Sequence, residues 1–308
     1  MLTLRLQRLG WEAPGVLTLE LVAPDGAALP AFTAGAHVDV HLAEGLVRQY
    51  SLCGDPAERT RWRLAVRKVE GGRGSTLVHR QLRPGALLPV SEPRNNFPLL
   101  PAARYLFIAG GIGITPLLPM LRAAQKAGTP WNLLFCARSA DEAPFLAEAR
   151  ALGDVVLHAS AEGTRLDVAA TLREAQPGTQ IYCCGPQGLM EAVEQAGAQW
   201  PEGSLHFEWF AARQQQHAEA GAFELTCARS NRSLTVPADR SILAVLREAG
   251  IETPSSCEEG VCGSCEVAVV QGELDHRDSI LSAGERAAGR SMMVCVSRAR
   301  GARLVLDI

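Results

Sequence analysis

The chain has 308 residues, 47% hydrophobic and 20% charged, with a formal net charge of −3. That length exceeds one ordinary core and predicts two or three domains, and the slight acidic balance argues against nucleic-acid binding. No stretch approaches the ~18 uninterrupted apolar residues of a membrane span.

The opening MLTLRLQRLGW alternates apolar and polar residues and lacks the apolar run of a secretory signal, so a cytoplasmic protein is expected. Residues 1 to about 98 continue as short alternating strands broken by Gly, Pro and Asp, including VLTLELVAP, HVDVHLAEG, RQYSLCGDP and RWRLAVRKVEGG. Such spacing predicts an antiparallel barrel. In RQYSLCGDP, alternation puts Arg48 and Tyr50 on one face and Ser51 on the other. GGRGST then offers Gly74, Ser75 and Thr76 after a glycine run suited to a phosphate.

The rhythm changes near Ala103. RYLFIAG reads as a buried strand, GGIGITP as a turn, and LLPMLRAAQKAG as a helix. WNLLFCAR, DVVLHAS and QIYCCGP repeat the strand pattern with helical segments between them, which predicts a parallel sheet covered by helices. Gly110, Gly111 and Gly113 let backbone N–H groups approach a pyrophosphate at a helix start, and Pro116 suits the first helical turn. The spacing is not that of the G-x-G-x-x-G fingerprint, and a lone glycine turn serves tight packing equally well. The second strand–turn–helix, at Cys184, Gly185 and Pro186, strengthens the ligand reading, because α/β sheets bind ligands at the carboxyl ends of their strands.

AARQQQHAEAG, residues 211–221, is polar, has no periodic apolar face and reads as a linker. A hairpin over FELTCARSNRSLTVPA and a helix over SILAVLREAG lead to PSSCEEGVCGSC. There Cys257, Cys262 and Cys265 form C-x4-C-x2-C, and Cys295 follows after 29 intervening residues. Four thiolates suit tetrahedral zinc or an iron–sulfur cluster. Zinc sites usually come as two compact C-x2-C knuckles, whereas this spacing is that of a plant-type [2Fe–2S] ferredoxin. Gly260 and Gly263 fit a loop wrapped closely around inorganic sulfide. The other five cysteines, Cys53, Cys136, Cys183, Cys184 and Cys227, lie in strand-like stretches as small hydrophobes.

Together RQYSLCGDP, PRNNFPL, AGGIGITP, YCCGPQGLM, PSSCEEGVCGSC, DHRDSIL and VCVSRA resemble the ferredoxin–NADP reductase superfamily. Within it they are most similar to the phthalate dioxygenase reductase family, which includes vanillate demethylase reductases. The resemblance covers essentially the whole chain. It implies a flavin-binding β-barrel over 1–100, an α/β NAD(P)-binding domain over 101–210 and, after the linker, an α+β, β-grasp-like ferredoxin domain over 222–308.

By the same resemblance Arg48 holds the flavin phosphate with Gly74, Ser75 and Thr76, and Tyr50 packs on the isoalloxazine. Ser51 and Cys184 lie at the reacting edge of flavin and nicotinamide, with no nucleophile or general base required. Gly110, Gly111, Thr115 and Pro116 shape the nucleotide site with Gly185 and Pro186, and Phe210 covers the flavin. The cofactors implied are FMN rather than FAD, NADH, and a [2Fe–2S] cluster on Cys257, Cys262, Cys265 and Cys295. Ser139 follows Arg138 where an acidic residue would reject a 2′-phosphate, so NADPH stays open. The implied protein is a monomer that passes electrons to a Rieske-type oxygenase through a transient contact. The alternatives are a reductase arm for another monooxygenase and a non-enzymatic iron–sulfur or zinc module on a degenerate reductase. Asp275 to Asp278, DHRD, would either touch the partner or form a charged loop in which Asp278 caps a helix.

Overall fold

In the computed structural model, which describes residues 1–212 and 221–308, the chain divides into two units, Met1–Glu208 and Trp209–Ile308. Most of the predicted linker lies outside the described residues.

Period-two alternation builds the first sheet. Its strands are β1 (Leu2–Ala13), β2 (Val16–Val22), β3 (His37–His41), β4 (Val47–Ser51), β5 (Trp62–Arg67) and β6 (Leu87–Val90). They lie in the order β4-β3-β6-β1-β2-β5, every pair antiparallel. The end strands β4 and β5 lie against each other without ladder pairing. The i, i+2 pairs Leu4 and Leu6, Leu19 and Leu21, Val38 and Val40, and Leu64 and Val66 fill its core. Between β5 and β6 the GGRGST segment enters α1 (Arg73–Arg80).

The second sheet comprises β7 (Arg104–Gly110), β8 (Trp131–Ala137), β9 (Val155–Ala159), β10 (Thr179–Cys184) and β11 (Leu205–Phe207). All four pairings are parallel, in the order β11-β10-β7-β8-β9. The intervening helices are α2 (Ile114–Ala127), α3 (Leu146–Leu152), α4 (Val168–Glu174) and α5 (Gln187–Ala196). From β7 the chain runs outward to β9, then returns to place β10 on the other side of β7. Strand order therefore reverses between β7 and β10, the switch point at which open α/β sheets form a ligand crevice.

Two devices fasten these sheets together. The Tyr182 hydroxyl accepts from Leu100 N at 2.7 Å and donates to Pro98 O at 3.1 Å, while the Tyr105 hydroxyl donates to Leu100 O at 2.8 Å. Arg63 of β5 makes a bidentate pair with Glu148 of α3 at 2.9 and 2.6 Å, and Arg122 of α2 pairs with the same carboxylate. Burial alone would raise Glu148, but hydrogen bonds from the two arginines outweigh it and hold the carboxyl below its ordinary pKa.

The second unit contains β12 (Phe223–Cys227), β13 (Arg232–Val236), β14 (Glu266–Gln271), β15 (Leu274–Asp275), β16 (Ser291–Met293), β17 (Arg298–Ala299) and β18 (Arg303–Leu306). Five of these form a mixed sheet, β13-β12-β18-β14-β16, with β12 and β18 parallel, and β15 pairs with β17. The helix α6 (Ile242–Glu248) starts at Ser241, whose hydroxyl accepts from Ala244 N at 3.1 Å. A second helix, α7 (Ala283–Ala288), carries a capping box of Ser282 and Glu285. Phe223, Leu225, Leu246, Met292, Met293, Leu304 and Leu306 are among its buried core.

Candidate functional site

The two glycine turns predicted at the ends of β7 and β10 meet at the switch point. A Cβ on Gly113 would sit 2.1 Å from the Cys184 carbonyl oxygen, and one on Gly110 would sit 2.4 Å from Pro186 Cδ. Glycine is required at both places for close approach, whereas Gly111 needs it for a φ of +52°. Buried Thr115 donates to Ile112 O at 2.9 Å and so closes the turn from within. Pro116 occupies the first turn of α2, where no N–H is needed. Gly110, Gly111 and Pro186 line an open cleft of about 480 Å³ that also reaches Arg67, Arg138 and Arg165.

On β4, Arg48 lies opposite Val40, Tyr50 opposite Val38 and Ser51 opposite His37. Arg48 Nη1 donates to Val47 O at 2.7 Å. Gly74 is buried against the arginine stem, with a Cβ there only 2.7 Å from Arg48 Cγ. Ser75 is already engaged locally: its hydroxyl accepts from Val69 N at 3.0 Å and donates to Gly72 O at 3.2 Å, closing the loop before α1. Thr76 is half-buried one residue further on. Burial pushes the Tyr50 hydroxyl up to about 12, so it stays protonated.

Ser51 meets a residue that the sequence reading did not select. Its hydroxyl donates to Glu208 Oε2 at 3.4 Å. Glu208 follows β11, and its N–H donates to Cys183 O at 3.2 Å, extending the pairing with β10. Burial raises the Glu208 carboxyl to about 8, only partly offset by the Ser51 hydrogen bond. Cys184 is fully buried, and its thiol is pushed well up by burial and then by the nearby Glu208 charge. At neutral pH the cluster therefore holds a hydroxyl, a thiol and a carboxylic acid, all protonated. The signal for Glu208 was slight: one acid in HFEWF, with no motif around it. Phe210, chosen from the same stretch, is 44% exposed and belongs to the second unit.

In the second unit Cys262, Cys265 and Cys295 are buried and Cys257 is partly so. Their thiols interact by twos. A hydrogen bond with Cys257 draws Cys262 down to about 5, and one with Cys295 lowers Cys265. Backbone N–H groups add to this, from Glu259 to Cys257 Sγ at 3.3 Å and from Ser264 to Cys262 Sγ at 3.4 Å. Among the described residues, no three His, Cys, Asp or Glu side chains gather around a single metal-ion position. Two pairs of thiols with amide donors fit a two-iron cluster, which shares four cysteines between two metals, better than one tetrahedral zinc. Gly260 and Gly263 have φ of +72° and +73°, as the wrapped loop was expected to need.

The DHRD segment is not an exposed charged loop. Asp278 is fully buried and accepts from Ile280 N at 3.0 Å and Leu281 N at 2.8 Å, so it closes a turn, while Ser282 caps α7. Its backbone also packs under the cysteine loop, because a Cβ on Gly260 would lie 3.1 Å from Asp278 Cα.

Comparison with known proteins agrees with this division of labour. Residues 16–98 match the oxidoreductase FAD-binding domain family, 107–195 the oxidoreductase NAD-binding domain family, and 216–300 the 2Fe-2S iron-sulfur cluster binding domain family. The chain is 44% identical to the phthalate 4,5-dioxygenase oxygenase reductase subunit of Pseudomonas putida, over 96% of this chain and 93% of that one. It is 41% identical to phthalate dioxygenase reductase of Burkholderia cepacia, over 96% and 94%. A solved phthalate dioxygenase reductase, described as a modular structure for electron transfer from pyridine nucleotides to [2Fe-2S], matches 100% of this chain and 98% of its own at 40% identity and a TM-score of 0.72. An intact type IV self-sufficient cytochrome P450 monooxygenase matches at 41% identity and a TM-score of 0.92, but this chain spans only 41% of its length. With three domains in this order and near-complete coverage of such relatives, the chain belongs to the phthalate dioxygenase reductase family of oxygenase reductases.

Proposed function

We propose that the chain is the reductase component of a Rieske-type oxygenase system acting on aromatic rings or aryl ethers. The observation that carries this reading is the switch point, where the two glycine turns abut and Glu208, near Cys184, accepts from Ser51. When bound, the flavin would accept hydride from the nicotinamide and release electrons singly to the [2Fe–2S] cluster.

The chain's own residues then bind and orient. Arg48 and the start of α1 face the flavin phosphate, and Tyr50 backs the ring. Ser51, with Glu208 behind it, and Cys184 flank the reacting edge with protonated groups. Gly110, Gly111, Thr115, Pro116, Gly185 and Pro186 shape the pyrophosphate and nicotinamide seat. Cys257, Cys262, Cys265 and Cys295 hold the cluster. The domains of this reading are a flavin barrel over 1–100, a nucleotide domain over 101–210 and a β-grasp-like ferredoxin domain over 222–308. FMN is the flavin of this reading, although the matched domain family is described as FAD-binding: the loop that Ser75 closes runs straight into α1, with no insert for an adenylate. The chain works as a cytoplasmic monomer that meets its oxygenase through a small, transient surface.

A Cys262→Ser variant tests the route. It should lose NADH-dependent cytochrome c reduction and keep NADH–ferricyanide activity; cytochrome c reduction that survives without the cluster would sink the proposal. The close match to part of a self-sufficient P450 favours a second reading, a reductase arm for a haem monooxygenase. Coupling of NADH consumption to product, with purified Rieske and haem oxygenases side by side, separates the two.

A further inference from the structure

The cleft beside the glycine turns is lined by more arginines than acids. Besides the turn residues it is lined by Arg67, Arg138 and Arg165, with Glu142 its one acidic residue. In doubly wound sheets the pyrophosphate sits on the turn after the first strand, here β7. The adenosine ribose reaches the tips of the strands beyond it, where an acid hydrogen-bonds the 2′-hydroxyl of NAD or an arginine accommodates the 2′-phosphate of NADP.

Those tips are β8 and β9. Arg138 follows β8 directly, and its carbonyl accepts from Ala161 N, just past β9, at 2.8 Å. That bond ties the two tips into one rim, on which Ser160 and Arg165 also line the cleft. The position after Arg138 is Ser139, a neutral hydroxyl. Glu142 pairs with Arg138 at 3.9 Å, but both side chains are well exposed, at 43% and 77%. An exposed pair of this kind contributes little and exchanges readily for a dianionic phosphate.

We propose that the rim formed by Arg138, Ser160 and Arg165 is a 2′-phosphate site, so that the protein uses NADPH as well as NADH. The proposal rests on the reading of the chain as a pyridine-nucleotide oxidoreductase and sharpens its choice of substrate. Arg138 and Arg165 supply charge-assisted hydrogen bonds to the phosphate, and Glu142 is the counter-charge that the phosphate displaces.

The test measures ferricyanide reduction by the purified full-length flavoprotein with each nucleotide. It also measures binding of 2′,5′-ADP against 5′-AMP by calorimetry. NADPH kcat/KM within about tenfold of that for NADH, together with tighter binding of 2′,5′-ADP, supports the site. The NADPH-to-NADH ratio should then fall about tenfold in R138A, in R165A and in S139D, and rise in E142Q. A ratio below that limit in the parent protein, 2′,5′-ADP binding no tighter than 5′-AMP, or a ratio indifferent to both arginines overturns the proposal. Failure of both nucleotides to reduce the flavin would instead overturn the reductase reading itself, so the two failures are distinct.

Discussion

Ser51 donates its hydroxyl hydrogen to Glu208 across 3.4 Å, joining two residues 157 positions apart in the chain. The carboxyl it reaches is raised by burial to about 8, so the pair carries no net charge at neutral pH. The pair therefore holds its protons without placing a net charge beside the buried Cys184.

The elevated carboxyl has a stability signature. Between pH 4.5, its ordinary value, and about 8, the native state keeps a proton that the unfolded chain has released. Stability therefore falls as pH rises through that window. Glu208→Gln should flatten this dependence, matching the parent near pH 4 and exceeding it by up to about 5 kcal/mol at pH 9. Urea unfolding at the two pH values checks it; parallel curves for the two proteins would refute the assignment.

The arginine clamp makes the opposite prediction. Glu148 is held below its ordinary pKa, so its contribution is present above pH 4.5 and is lost as pH falls through the depressed value. Glu148→Gln should cost about 2 kcal/mol at pH 7, because Arg63 and Arg122 lose charge-assisted partners, and much less at pH 3. Denaturant melts at both pH values measure the difference.

The glycines of the first turn separate two kinds of strain. Gly111→Ala meets no atom within 4 Å but must hold φ at +52°, a cost of about 1 kcal/mol. Gly113→Ala has an ordinary φ of −62° yet drives its Cβ onto the Cys184 carbonyl. It should cost about 3 kcal/mol and weaken nucleotide binding at least tenfold, through displacement of the turn. Thermal melts and nucleotide titrations of both variants decide whether the contact matters more than the dihedral.

The pairing of the thiols predicts the metal. Elemental analysis of protein isolated without oxidation should give about two iron atoms and two acid-labile sulfides per chain. Cys295→Ser should lose the cluster's visible bands while the flavin spectrum persists. One zinc per chain, with neither iron nor sulfide, would exclude the two-iron assignment.

What the sequence disclosed, and what it hid, follows from how each feature is built. The cysteines and glycine turns were readable because their chemistry needs particular residues at short spacing; period-two alternation announced the strands of the first sheet, and apolar runs between helical segments those of the second. Glu208 was hidden because nothing local marks it; only the short edge strand β11, laid beside β10, carries it to Ser51. DHRD misled in the other direction: four polar residues in a row suggest surface, but two backbone N–H groups hold Oδ1 of Asp278 inside the fold. GGRGST was legible as a turn, whereas the engagement of the Ser75 hydroxyl with Val69 and Gly72 depended on how the loop closes.

The segment joining the two sheets of the first unit contains Pro93, Pro98 and Pro101, and two tyrosine hydroxyls rivet its middle to the parallel sheet. These bonds hold the spacing between the antiparallel and the parallel sheet. Such a gauge removes most of the ordering that a closing hinge would demand at each turnover. Tyr182→Phe removes two of the three bonds, to Leu100 N and Pro98 O, and should loosen that spacing while changing no other side chain.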